Sequence, residues 1–183
     1  MDLDSLLKVS GEYKPMVAGD YDLSKVYCFG EDVAKEVKMS PALDLHDLIR
    51  GNGGEIHYID HACFRTLGDS AIIKNSIYVH SERNFDIILP AYASLVENRY
   101  TMAHELGHYV LHSKNDQCFA QRNGDGNIEK EANCFALGFL MPSESFKAAY
   151  EQCKNNPNEL SIAFLVPLSA VNARINSLGL HQE

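Results

Sequence analysis

The sequence predicts an α+β fold: a mainly helical domain with a small sheet of three or four strands packed on one long helix. Three observations lead there. Strand-like segments gather between positions 55 and 89, whereas helical periodicity dominates from 91 onward. The longest helical stretch, Ala91 to His112, contains His104-Glu105-Leu106-Gly107-His108, an H-E-x-x-H pattern with apolar residues on both sides. The last segment reads as two short helices around a tight turn.

Taken in order, Leu3, Leu6 and Leu7 hint at a short helix before Gly11, Pro15 and Gly19 punctuate the chain, so residues 1–30 read as an N-terminal extension. Val33, Ala34 and Val37 fit a helix over Glu31–Met39, stopped by Ser40-Pro41. Asp44 to Arg50 fits a second, ended by Gly51-Asn52-Gly53-Gly54. Glu55 to Asp60 alternates as a half-buried strand does, and Ala71–Lys74, Asn75-Ser76 and Ile77–His80 suggest a hairpin. A short apolar run, Ile87–Leu89, stops at Pro90. Ser113 to Asn127 reads as a polar loop, followed by helices over Ile128–Leu140, Ser143 to about Cys153, Glu159–Leu165 and Leu168–Leu178. Residues 31–183 are therefore expected to form one domain, with the helix pair at 159–180.

Composition narrows the possible functions. A formal net charge of −9 argues against direct nucleic-acid binding, which needs clustered Lys and Arg, and leaves room for a basic protein partner. The five cysteines (Cys28, Cys63, Cys118, Cys134, Cys153) form no C-x-x-C pair and read as reduced thiols of a cytoplasmic protein. The acidic start Met1-Asp2-Leu3-Asp4 is unlike a signal peptide, and no apolar run reaches membrane-spanning length.

On a helix, His104 and His108 sit about 40° apart on one face, which suits two imidazoles to one zinc ion. Glu105 points about 100° away, beside the metal and free to act as general base and acid. A third protein ligand is needed, and the three-histidine solution is excluded because position 111 is Leu and position 114 is Lys. Glu129-Lys130-Glu131-Ala132 offers two carboxylates about 200° apart on the next helix. Glu131 is the expected ligand, since small Ala132 follows it and Phe135 sits one turn on to pack; Glu129 is expected to face away. His112 reads as a histidine supporting the site or ending the helix, and Cys134 as a buried thiol. His57, His61, His80 and Tyr100 are candidate oxyanion donors, each more simply explained as structural. Asp125-Gly126-Asn127 has the wrong ligand spacing for a calcium loop and reads as a turn.

The run A-H-E-L-G-H-Y-V-L-H followed by E-K-E-A-N-C-F-A-L-G-F-L-M-P resembles the ImmA/IrrE family of zinc metallopeptidases, which are gluzincin-like; the likeness extends in order over about residues 31 to 180. The resemblance implies His104, His108 and Glu131 as ligands of Zn2+, Glu105 as the catalytic base and acid, and a helix-turn-helix repressor as the protein that is cleaved or inactivated. That would derepress a prophage, a mobile element or a stress regulon. The sequence departs from the family at Pro167, where Ser is commoner, and in the glycine-containing loop before Glu129. The alternative expectation is a non-catalytic regulator or toxin-antitoxin-type protein that sequesters a partner around a structural zinc. For the enzyme, the expected docking edge for a substrate strand is Ile77 to His80.

Overall fold

The computed structural model describes residues 13–59, 76–114, 117–121 and 126–180. In chain order the elements are β1 (Lys14–Pro15), α1 (Leu23–Glu36), α2 (Leu45–Gly51), β2 (Gly54–Ile59), β3 (Ser76–Ser81), β4 (Asn84–Pro90), α3 (Leu95–His112), β5 (Cys118–Gln121), α4 (Gly126–Leu140), α5 (Ser143–Gln152), α6 (Pro157–Phe164) and α7 (Leu168–Ser177). The α+β expectation holds: a mainly helical fold carries one small mixed sheet of order β1-β5-β3-β4-β2.

The sheet has two unlike faces. Ile77, Val79, Phe85, Ile87 and Leu89 are buried with Met102, Ala103 and Leu106 of α3, and Phe85 stacks on Tyr109 of that helix. Side chains alternate along a strand, so Tyr78, His80, Asp86 and Ile88 point to the opposite face. β3 pairs antiparallel with both β4 and β5 and so lies inside the sheet. Ile77 to His80 is therefore not a free edge, and the expected docking edge is corrected. β3 and β4 form a hairpin whose turn, Glu82-Arg83, has Arg83 in the left-handed region at φ 56°. The other expected arm, Ala71–Lys74, lies outside the described residues, as do His61 and the leucines near the N-terminus.

Two strands were not expected. β5 arises inside the presumed polar loop because Cys-Phe-Ala-Gln alternates: Cys118 and Ala120 are buried, while Phe119 stacks on Tyr78 on the other face. β1 pairs parallel with it. The central helix begins at Leu95, later than expected, because Ser94 caps it. The Ser94 hydroxyl accepts from the Glu97 amide at 3.3 Å, and the Glu97 carboxylate accepts from the Ser94 amide at 2.9 Å.

The first helix is not Glu31–Met39 as expected: α1 starts at Leu23, inside the presumed N-terminal extension, because Asp22 caps it, and it buries Val26, Gly30 and Ala34 at four-residue spacing. Its packing on α4 is backbone against backbone. A Cβ on Gly138 would lie 2.3 Å from the Tyr27 carbonyl oxygen, and one on Gly30 would lie 2.5 Å from that of Phe135. The C-terminal pair α6–α7 turns through Leu165, which is left-handed at φ 52°. Arg174 ties α7 to the rest: it is buried, donates to the Met141 carbonyl at 2.8 Å and pairs with Glu31, whose second oxygen accepts from Ser143 at 2.7 Å. No helix among the described residues is long and apolar enough to cross a membrane.

Gly138→Ala should force α1 and α4 apart and destabilise the fold by about 1–3 kcal/mol. Urea denaturation would measure this; a midpoint equal to wild type would mean the two helices do not approach so closely.

Candidate metal centre

The H-E-x-x-H pattern lies within α3, where His104, Glu105 and His108 are all buried. The two imidazoles face each other, Nε2 to Nε2, at 3.0 Å. Glu129, from the first turn of α4, closes the group: its carboxylate oxygens lie 3.4 Å from His104 Nε2 and 3.3 Å from His108 Nε2. Among the described residues, one ligand atom from each of His104, His108 and Glu129 falls within 4.8 Å of the others.

Glu131, the expected third ligand, is elsewhere. It accepts from His112 Nε2 at 2.8 Å and from the amides of Gly19 and Tyr21, each at 3.0 Å. The reason is rotational. Ala132 marks the line of contact, because a Cβ on Gly107 of α3 would sit 3.0 Å from the Ala132 carbonyl oxygen. Glu129 is three residues before Ala132, about 60° from that line, and Glu131 is about 100° away on the other side. Choosing the carboxylate nearer in angle to Ala132 would have found Glu129. Asn133, one turn beyond Glu129, shares its face and reaches His104.

Hydrogen-bond directions fix what the site presents. Asn133 Oδ1 lies 3.0 Å from His104 Nδ1 and also accepts from the Tyr100 hydroxyl. His104 Nδ1 therefore carries the proton, and its Nε2 is a lone pair. The Glu131 carboxylate requires an N–H at His112 Nε2, which leaves His112 Nδ1 to accept from His108 Nδ1 at 3.1 Å. His108 Nε2 is then a lone pair too. Two lone pairs 3.0 Å apart and a carboxylate repel one another unless a cation sits among them. Glu129 Oε1 is buried with no hydrogen-bond partner among the described residues, as an oxygen reserved for a metal would be. One carboxylate and two imidazoles suit zinc.

The electrostatics favour the ligand forms of His108 and Glu129. Burial lowers His108 to about 4, against the pull of Glu129, and burial also lowers His112 despite Glu131. Burial would raise Glu129, but with an N–H on the facing histidines its carboxyl is held at about 2, a pull that a cation would supply when both Nε2 atoms are lone pairs. Burial likewise opposes ionisation of Glu131, and the Gly19 and Tyr21 amides with His112 lower it regardless.

Of the other sequence candidates, Tyr100 is engaged with Asn133, while His57 and His80 flank Asp86 on the far face of the sheet. Cys134 is buried and its thiol is raised by burial, consistent with a structural role.

Residues 60–176 match the Peptidase_M78 family, described as the IrrE N-terminal-like domain. Among solved structures, the chain is similar to a Mycobacterium tuberculosis transcriptional regulator, with 17% identity and a TM-score of 0.54. That match covers 84% of this chain and 46% of the regulator, so the chain spans about half its length and the likeness is one of fold. No curated protein matches.

If Glu129 is the ligand and Glu131 its indirect support, Glu131→Gln weakens zinc binding by about 10–100-fold and Glu129→Gln by more. Competition with a chromogenic chelator measures both, and the reverse order would overturn the assignment. A second outcome concerns pH. His108 takes up a proton at about 4 when folded but at 6.5 when unfolded, so the unfolded state binds more protons between those values. Metal-free protein should lose stability as pH falls through that window. Urea midpoints from pH 7.5 to 4.5 should decline, and less steeply in His108→Asn; equal slopes would sink the idea.

Proposed function

The chain belongs to the Peptidase_M78 family, with its IrrE N-terminal-like domain, and on that premise we propose a zinc-dependent endopeptidase that acts on a helix-turn-helix repressor. The observation that carries the reading is the convergence of the His104 and His108 Nε2 lone pairs with Glu129 on one buried helix face. These three residues would hold the ion. When bound, zinc supplies a Lewis acid and lowers the pKa of a water.

The remaining work falls to Glu105. It sits one residue along from His104 and three before His108, so it is turned about 100° from the first and about 60° from the second and is not itself a ligand. It takes the proton of the attacking water and returns it to the departing amine, the two transfers that peptide hydrolysis requires. Asn133 and Tyr100 orient His104; His112 and Glu131 orient His108. The substrate class is supported by the family resemblance and by charge: a net −9 suits a partner whose DNA-binding surface is basic. The chain itself is a poor DNA binder, since the one cation of its C-terminal helix pair, Arg174, is buried against Glu31.

A binding-only role, with the metal as a structural element, is favoured by one observation. Leu95 is 89% exposed and lines a cleft with Leu165, while Ile162 nearby in sequence is 73% exposed, so apolar surface is open to a protein partner.

Incubating wild type and Glu105→Gln with a helix-turn-helix repressor encoded beside this protein separates the two. The enzyme reading expects Glu105→Gln to retain zinc and to cleave about 10²–10⁴-fold more slowly, followed by gel electrophoresis. Cleavage at the wild-type rate would refute the role of Glu105, and equal inactivation by both without cleavage would replace the enzyme with the binding protein.

A further inference from the structure

A second group of ligand-type side chains lies on the sheet face turned away from α3. β2 brings Glu55 and His57 to one face at a spacing of two residues, and its parallel register sets Glu55 directly beside Asp86 of β4. One ligand atom each from Glu55, His57 and Asp86 lies within 4.8 Å of the others. We propose that Glu55, His57 and Asp86 form a second divalent-cation site, separate from the centre on α3, which takes a first-row ion such as zinc or manganese and ties edge strand β2 to β4.

Two independent observations support this. The first is a cost: like charges at directly opposed strand positions repel, and here the pair is Glu55 and Asp86, the latter 6% exposed. A cation between them turns that repulsion into attraction. The second is orientation. Asp86 Oδ2 lies 2.7 Å from His80 Nε2, and His80 Nδ1 lies 2.6 Å from the Tyr13 hydroxyl. With the phenol donating to Nδ1, His80 donates from Nε2 and pins that carboxylate oxygen. Burial and the nearby Asp86 both raise Tyr13, which keeps it a phenol. Asp86 Oδ1 is left facing His57 Nε2 at 2.9 Å, the separation of neighbouring ligands on one ion as well as of a hydrogen bond. Carboxylates that ligate metals are held by outer partners in just this way.

The donor set selects the class of ion. One imidazole and two carboxylates are borderline to hard, suited to zinc or manganese and unlike the all-oxygen cages of calcium or the thiolate sites of soft ions. Glu55 is exposed, so the ion would keep coordination positions open to water. None of these residues takes part in the proposed hydrolysis.

The test counts metal on the full chain. Equilibrium dialysis against Zn2+ and, separately, Mn2+, with bound metal measured by mass spectrometry, should give two zinc ions per chain for wild type. His57→Ala should give one, and so should the double variant His104→Ala/His108→Ala. Because changes at buried Asp86 can disturb folding, Glu55→Gln serves as the fold-safe variant: it should weaken the second zinc at least tenfold with an unchanged urea midpoint of the metal-free protein. A single zinc at saturation in wild type, or a second zinc whose affinity neither Glu55→Gln nor His57→Ala alters, overturns the proposal and leaves His57–Asp86–His80 as a hydrogen-bonded cluster.

Discussion

The metal face depends on how closely α4 approaches α3, and Gly107 sets that approach. A Cβ at this position would lie 3.0 Å from the Ala132 carbonyl oxygen and 3.1 Å from both Ala132 Cα and the Phe135 ring. These are backbone atoms and a core aromatic, which cannot give way cheaply. The second of the two positions between Glu105 and His108 is therefore part of the candidate site although it binds nothing. With the helices this close, a glutamate of ordinary length, Glu129, spans from the first turn of α4 to both imidazoles. Any widening withdraws the carboxylate while leaving the histidines in place.

α4 is itself held from behind by α1, through a second backbone contact at Gly30 and Gly138. Three helices thus stack closely: a Cβ at Gly30 or Gly138 would collide with a backbone carbonyl oxygen, and one at Gly107 would press on α4. The sheet covers the other side of α3, with Phe85 against Tyr109 and the hairpin amide of Arg83 donating to the Tyr109 hydroxyl at 3.1 Å. The α3 surface left over is the stripe of His104, His108 and His112, four residues apart, where the polar groups concentrate. Burying three uncharged imidazoles there is tolerable because each Nδ1 is paired.

Much of this was legible in the sequence. Helical periodicity located α2 to α7 but began the first helix at Glu31, leaving Leu23 to Gly30 of α1 in the presumed N-terminal extension. The four-residue spacing of His104 and His108 pointed to the face where the candidate ligands gather. The strand within the presumed loop was harder: Cys118 to Gln121 is too short for alternation to stand out, and its neighbours across the sheet are distant in sequence. Two misreadings had usable signals. Ser94-x-x-Glu97 is a capping box and marks the true start of α3. The choice between Glu129 and Glu131 needed the direction of helix contact. Small Ala132 does show that direction, provided both carboxylates are measured from it and not only the adjacent one. The role of Glu131 was beyond sequence, because its partners Gly19 and Tyr21 are more than a hundred residues away.

Those partners explain why two glutamates stand so close together. Asp20, between them, takes a left-handed conformation at φ 52°, which lets two successive odd-numbered amides converge on one carboxylate as an anion nest. The strain of a non-glycine residue there is offset by satisfying a buried charge. From that anchored anion a single line of hydrogen bonds runs through His112 to His108 and ends at the lone pair facing Glu129. Each bond polarises the next, so the negative charge of Glu131 makes His108 Nε2 more electron-rich without Glu131 touching a metal. The two carboxylates hold opposite ends of one line: Glu129 as the candidate ligand, Glu131 as the group that would make its neighbour a better one. It follows that the N-terminal residues around position 20, which lie outside the span matched to the family, belong to the candidate metal centre as much as α4 does.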